Sequence, residues 1–218
     1  MSTNILTPRL DEHVAALPII RVAGEGRLTR EHMRRWLAAE YQCQNAEIAA
    51  FSAMGARFVG DDRIVGFVLE VARTLVSGRA AMDKAAGAAG LTRAEMGAWL
   101  LPGVHEFTGL VSWLALHGTP AEVAAVVHDD WLLYCAACAE LGRVLVEGDG
   151  KYSENEPLPA DVLDYLRAYS NPPRQIIDEA AALVKAALAE TGDVASISRS
   201  LPLVEPTLNA FWRAVADV

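Results

Sequence analysis

Two glutamates seven residues apart, Glu40 and Glu47, bracket Cys43 and Gln44 in a segment otherwise patterned as an amphipathic helix. Each helical residue turns the chain by about 100°, so residues three, four and seven apart share a face. With Trp36 as the reference direction, Met33, Phe51, Met54 and Phe58 fall within roughly 60° of it and define an apolar stripe. Glu40, Cys43 and Glu47 lie inside that stripe, and Gln44 lies on its shoulder. A carboxylate on a buried face is costly unless something offsets its desolvation. Either the two glutamates line a pocket, where they would act as acid/base groups or hold a cation or metal, or they pair with a buried Arg or Tyr.

A second helical stripe carries Val123, Val127, Tyr134, Cys138, Leu141 and Leu145, with Asp130 on its shoulder one turn before Tyr134. A carboxylate and a phenol so spaced can share a hydrogen bond or a substrate. Cys135 and Cys138 form a C-x-x-C, but they lie mid-helix and no second pair completes a zinc site, so they read as small buried hydrophobes. His105 and Glu106 are adjacent and point about 100° apart, and His128 lacks a ligand partner one turn on. His13, His32 and His117 read as surface residues. There is no H-E-x-x-H and no Gly-rich phosphate loop, so no cofactor is expected and a metal could be held through carboxylates only. Trp99, Trp113, Trp131, Tyr165, Tyr169, Phe211 and Trp212 read mainly as core, with some available as flat walls of a ring-binding pocket.

The elements that must position these groups are nearly all helices, because alternating β-branched runs are almost absent. A short helix is predicted over about 9–17, stopped by Pro18. Thr29 caps a long helix reaching about Phe58, with Glu31 in its first turn. Asp61 or Asp62 opens another that continues past Gly78 to the glycines at 87 and 90, and Thr92 with Glu95 forms a capping box for a short one. Further helices are predicted over about 104–116 and from Thr119-Pro120-Ala121-Glu122 to about Glu147. A polar linker follows over 148–157, then helices over about 160–169 and 174–190, and a last one beginning after Pro206.

The 218 residues, 52% hydrophobic, suffice for one substantial core, and a single domain spanning 1–218 is expected. Nineteen basic against 28 acidic residues give a net charge of −9 with no basic tract, which argues against nucleic acid and anionic membrane as partners. No apolar run reaches the roughly 18 to 20 residues of a bilayer span, the N-terminus lacks signal-peptide character, and three cysteines suit a reducing compartment. A cytoplasmic protein acting on a small molecule is the expectation.

The run LTREHMRRWLAAEY from Leu28 to Tyr41, the following Gln44, the LPGV at 101–104, the AELG at 139–142 and the terminal Phe211-Trp212 together resemble the haem-oxygenase-like superfamily, within it the TenA (thiaminase II) and PqqC branches. The resemblance covers nearly the whole chain. It implies an all-α helical bundle with one internal pocket, assembled as a homodimer or homotetramer. Against the TenA pattern, Glu40 falls where an acidic residue holds an aminopyrimidine, and Tyr134 matches an active-site tyrosine. The family's catalytic cysteine, four residues before that tyrosine, is here Asp130; its late acidic residue is Leu208, with Glu205 nearby; a tyrosine expected after Glu40 is Cys43. Against the PqqC pattern, Gln44 and the LPGV turn agree, but an arginine is replaced by Glu40 and a lysine by Thr207. Against the di-iron oxidases, Glu40 and Glu47 keep the ligand spacing, yet the second position is not histidine and the late ligand cluster is missing around 164–169.

The expectation is therefore a TenA-like hydrolase of an amino-substituted nitrogen heterocycle, with Glu40, Asp130 and Tyr134 catalytic and Glu47, Cys43, Gln44, Phe107 and Glu205 binding substrate. The alternatives are a PqqC-like or metal-dependent oxidase or oxygenase, and a non-catalytic ligand-binding homologue.

Overall fold

Threonine hydroxyls set the starts of three helices. Thr29, Thr92 and Thr119 each stand in extended backbone and accept a hydrogen bond from the amide three residues on, and in each case the side chain there, His32, Glu95 or Glu122, returns a bond to the threonine amide. That reciprocity satisfies amides a helix start otherwise leaves open. Asp61 does the same alone, accepting from the Arg63 and Ile64 amides at 3.1 and 3.3 Å. Pro120 fits the first turn because it has no amide to satisfy.

The computed structural model describes residues 6, 8–148, 152–153, 156–192 and 194–217. The helices are α1 (Leu10–Ala16), α2 (Pro18–Gly24), α3 (Arg30–Arg57), α4 (Asp62–Ala88), α5 (Arg93–Ala98), α6 (Pro102–His117), α7 (Pro120–Glu147), α8 (Ala160–Tyr169), α9 (Arg174–Thr191), α10 (Val194–Ser198) and α11 (Leu201–Ala216). No β-strand occurs among the described residues, and no helix is long and apolar enough to cross a membrane. The expected linker at 148–157 lies partly outside the described residues.

Pro18 stops α1 as expected but also starts a helix that the spacing does not announce, and Pro206 departs from the expectation. Pro18 opens α2 at its first position, directly after an extended Leu17 that also ends α1. Pro206 lies inside α11, which begins at Leu201. The proline removes one ladder bond, yet Val204, Leu208, Phe211, Trp212 and Val215 are all buried along that helix, and their common burial carries it through.

α3 packs on α4 and α6, α7 packs on α8, α9 and α11, and α11 bridges the groups by also contacting α6 and α3. Trp36 and Trp212 are fully buried in this core. Where α6 meets α11 the backbones nearly touch: a Cβ on Gly103 would overlap the Ala210 carbonyl oxygen and crowd Ala214 Cβ at 3.2 Å. We expect Gly103→Ala to destabilise the chain by about 1–3 kcal/mol in urea unfolding; a wild-type midpoint would show that the two helices can part without cost.

Candidate functional site

The stripe of α3 that carries Glu40, Cys43, Gln44 and Glu47 does not meet a packed neighbour along its whole length. It borders a cavity of about 260 Å³. α7 closes the opposite side with Asp130, Trp131 and Tyr134, α8 supplies Tyr165 and Tyr169, α6 supplies Phe107, α11 supplies Leu208 and Phe211, and α4 contributes Leu75 and Gly78. Gly78 is small because the Tyr169 hydroxyl would stand 3.2 Å from a Cβ there.

One end of the cavity is tightly wired. Gln44 Nε2 donates to the Tyr165 hydroxyl at 2.8 Å, to the Tyr169 hydroxyl at 2.7 Å and, more weakly, to Glu40 Oε2 at 3.3 Å. Tyr165 donates to the same Glu40 oxygen at 3.3 Å. The Tyr134 hydroxyl, which accepts from Trp36 Nε1 at 3.1 Å, also bonds Glu40. Tyr134 thus turns toward α3 rather than bonding Asp130 on its own helix. Its ring stacks on Trp212 at 5.6 Å and meets the edges of Tyr169 and Phe211 at 5.8 and 5.9 Å, which fixes its position.

The other end is polar without being paired. Glu47 has no hydrogen-bond partner among the described residues, and Asp130 Oδ1 is buried with none. Gln44 Oε1 is a second buried acceptor left open. No Lys, Arg or His is among the described residues lining the cavity.

Three carboxyls without a cation shift their own protonation. Burial raises the Glu40 carboxyl above its ordinary value, and the Tyr134, Gln44 and Tyr165 hydrogen bonds recover part of that rise. Burial, then the Asp130 and Glu40 charges, push Glu47 well up. Asp130 is raised to about 8 by burial and by the Glu40 and Asp129 charges. Glu122 shows the contrast. It is fully buried outside this site, but Arg199 donates to it twice, at 3.0 and 2.8 Å, and Ser200 once, at 2.6 Å. Burial opposes its ionisation, yet those partners and the Thr119 amide outweigh it and hold the carboxyl below its ordinary value.

Of the residues expected from the sequence, Glu40, Asp130, Tyr134, Glu47, Cys43, Gln44 and Phe107 all border the one cavity. Glu205 does not. Its carboxylate is half-exposed and lies 3.9 Å from His13, because its turn of α11 faces α1 and not the cavity. His13 and His32 are buried rather than at the surface. Tyr165 and Tyr169, expected only as core or pocket walls, are hydrogen-bonding members of the site; two phenols one turn apart, whose hydroxyls need partners once buried, were the available signal.

The thiols are poor nucleophiles here. Burial first, then the cavity carboxylates, push Cys43 well up and Cys135 to about 12, so neither is a thiolate near neutrality. Among the described residues no three His, Cys, Asp or Glu side chains group closely enough to hold a metal ion. The chemistry available to the cavity is proton exchange and hydrogen-bond acceptance by carboxylates beside aromatic walls.

No protein-family profile and no curated protein matches the chain. Among solved structures it is similar to a TenA homologue from Pseudomonas syringae pv. tomato, with a TM-score of 0.70 and 11% identity over 96% of this chain and 90% of that one. The chain therefore has the all-α helical-bundle fold of TenA proteins, as the sequence resemblance implied.

Proposed function

We propose that the chain is a TenA-like enzyme that hydrolyses an amino-substituted nitrogen heterocycle related to the thiamin aminopyrimidine, using carboxylates where the family's cysteine would stand. The observation that carries this reading is the convergence of Glu40, Glu47 and Asp130 on one aromatic-walled cavity that has no basic residue among the described residues lining it. Such a site accepts N–H donors and positive charge, and an amino-substituted ring offers both.

In this reading Glu40, braced by Gln44, Tyr165 and Tyr134, accepts from the amino group or a protonated ring nitrogen. Phe107, Tyr134 and Phe211 border the ring. Asp130 takes a proton from water, the water oxygen adds to the carbon bearing the leaving nitrogen, and the carbon–nitrogen bond breaks. The departing nitrogen then carries away a proton, returned by Asp130, so the carboxylate is regenerated. A raised carboxyl suits this exchange because it both accepts and returns a proton near neutrality.

Chromatographic assay of an aminopyrimidine bearing a hydrolysable amino side chain tests the reading. We expect Glu40→Gln to raise KM by about 10- to 100-fold, the effect of losing a charge-assisted bond of about 1.5–3 kcal/mol. Unchanged KM in that variant removes Glu40 from ligand recognition; no turnover of any aminopyrimidine by wild type removes the reaction.

A further inference from the structure

The residues that border the cavity divide by exposure. Glu40, Gln44, Glu47, Phe107, Asp130 and Tyr134 are buried, whereas Ser77 and Ala81 of α4, Ala168 of α8 and Asn171 of the turn that follows are exposed. The exposed residues belong to segments that meet, because α4 packs on both α8 and α9. Between them the cavity reaches solvent. The frame of this opening is stiff: α4 runs through it unbroken, and Pro172-Pro173 fix two φ angles in the short turn from α8 to α9.

Tyr169, the last residue of α8, stands in the opening. It is half-buried, yet its hydroxyl reaches inward to accept from Gln44 Nε2 at 2.7 Å and to bond the Tyr165 hydroxyl. Its passage past α4 depends on Gly78, where a Cβ would stand 3.2 Å from that hydroxyl. The bond to Gln44 is one the interior can release at little cost. An amide nitrogen has two N–H donors, and three acceptors surround this one: Tyr169, Tyr165 at 2.8 Å and Glu40 at 3.3 Å. With Tyr169 turned away, Tyr165 and Glu40 still take both donors, so no buried donor is orphaned. The Tyr169 hydroxyl would pass to water at the rim.

We propose that the opening between α4 and the α8–α9 turn is the entrance to the cavity and that the Tyr169 side chain is its gate, latched by Gln44. Rotation of one ring, with the helices held in place, admits a small molecule. Gln44 also bonds Glu40, so releasing the gate moves a donor toward the carboxyl at the inner end. This rests on the reading that a small molecule occupies the cavity, and not on the reaction it undergoes there.

Two of the chain's own thiols test it. Cys43 borders the cavity, while Cys138 is fully buried and does not, so in one molecule they report entry and unfolding separately. The intact chain is treated with methyl methanethiosulfonate, and peptide mass spectrometry follows the rate at each thiol. Burial raises both thiols, so the rates are taken at one pH and compared as the ratio of Cys43 to Cys138. We expect Cys43 of the wild type to react about tenfold faster than Cys138, because local opening is easier than global unfolding. Tyr169→Phe should raise the ratio by about fivefold, the effect of one ordinary hydrogen bond lost from the latch. Ser77→Leu combined with Ala81→Leu, which thickens the exposed rim, should lower it several-fold. A variant that merely unfolds more often labels both thiols and drives the ratio toward unity, so it cannot imitate the rise in Tyr169→Phe. Cys43 labelled no faster than Cys138 in the wild type overturns the entrance. A ratio unmoved by the double leucine variant overturns its location, and one unmoved by Tyr169→Phe overturns the gate. No aminopyrimidine takes part, so each of these results is distinct from a failure of the proposed hydrolysis.

Discussion

Replacing Asp130 with asparagine is expected to lower kcat for aminopyrimidine hydrolysis by about 10²- to 10⁴-fold, the range that a positioned general base contributes. The substitution keeps shape and removes only the ability to take a proton. Because the free carboxyl is raised to about 8, kcat/KM of the wild type should climb through that region as pH rises. The limb belongs to the coupled carboxylates of the cavity rather than to Asp130 alone. A bound cation at Glu40 cancels one of the charges that hold Asp130 up, so the limb in kcat should lie at lower pH than the limb in kcat/KM. Substrate would thereby switch on its own base. A variant that keeps kcat within threefold of wild type, or a kcat/KM profile flat from pH 6 to 9, would remove Asp130 from the chemistry.

The cysteines frame why a carboxylate is needed for that task. Burial raises Cys43 and Asp130 alike in direction, but a thiol starts from a higher ordinary value, so Cys43 is left far from ionising while Asp130 is brought only to about 8. In this interior an aspartate is the group whose raised value lands where catalysis can use it.

Helix boundaries were legible wherever a side chain makes the boundary. Thr29, Asp61, Thr92 and Thr119 supply their own bonds to open amides, and all four helices start where those residues predict. Prolines are only half informative, because proline marks a helix start as readily as a stop: α1 ends before Pro18 as predicted, while α2 beyond it is not announced. Pro18 serves as a first residue, and Pro206 is overridden by the apolar face of α11, a tertiary effect that local spacing does not carry. The lining of the cavity was legible in the same measure. Glu40 and Glu47 stood out because they violate an otherwise clear apolar stripe, whereas Tyr165 and Tyr169 did not, since a buried tyrosine conforms to that pattern and only its hydroxyl bonds reveal its role. Glu205 was placed by proximity in sequence to the terminal Phe211-Trp212, but helical rotation turns it toward α1.

Folding stability is expected to fall as pH rises, the reverse of a protein stabilised by ionised carboxylates. A group with a folded value above its unfolded one holds its proton longer in the native state, so its contribution is present below the unfolded value, near 4 for a carboxyl, and is lost as pH climbs through the folded value. Asp130, raised from 3.8 to about 8, contributes a loss on the order of 5 kcal/mol across that window, with Glu47 and Glu40 shifted in the same direction. His13 works against it over part of the range. Its imidazole is fully buried and burial lowers it to about 4, so its contribution is present above 6.5 and lost as pH falls through 4. Between those values His13 offsets the slope of one carboxylate; above pH 6.5 that offset ends, and the loss should steepen there. Urea unfolding from pH 5 to 9 measures this directly. Asp130→Asn should exceed wild type by about 1–2 kcal/mol near pH 5 and by several kcal/mol near pH 9, a gap that widens with pH and trades the proposed chemistry for stability. A cationic ligand of the cavity would restore part of the wild type's loss, because it neutralises in the folded state the charges whose burial is costly. Wild-type stability constant across this range, or a variant with no gain at high pH, would mean that the carboxylates are solvated in the native protein and that the cavity is not the desolvated acidic site its geometry describes.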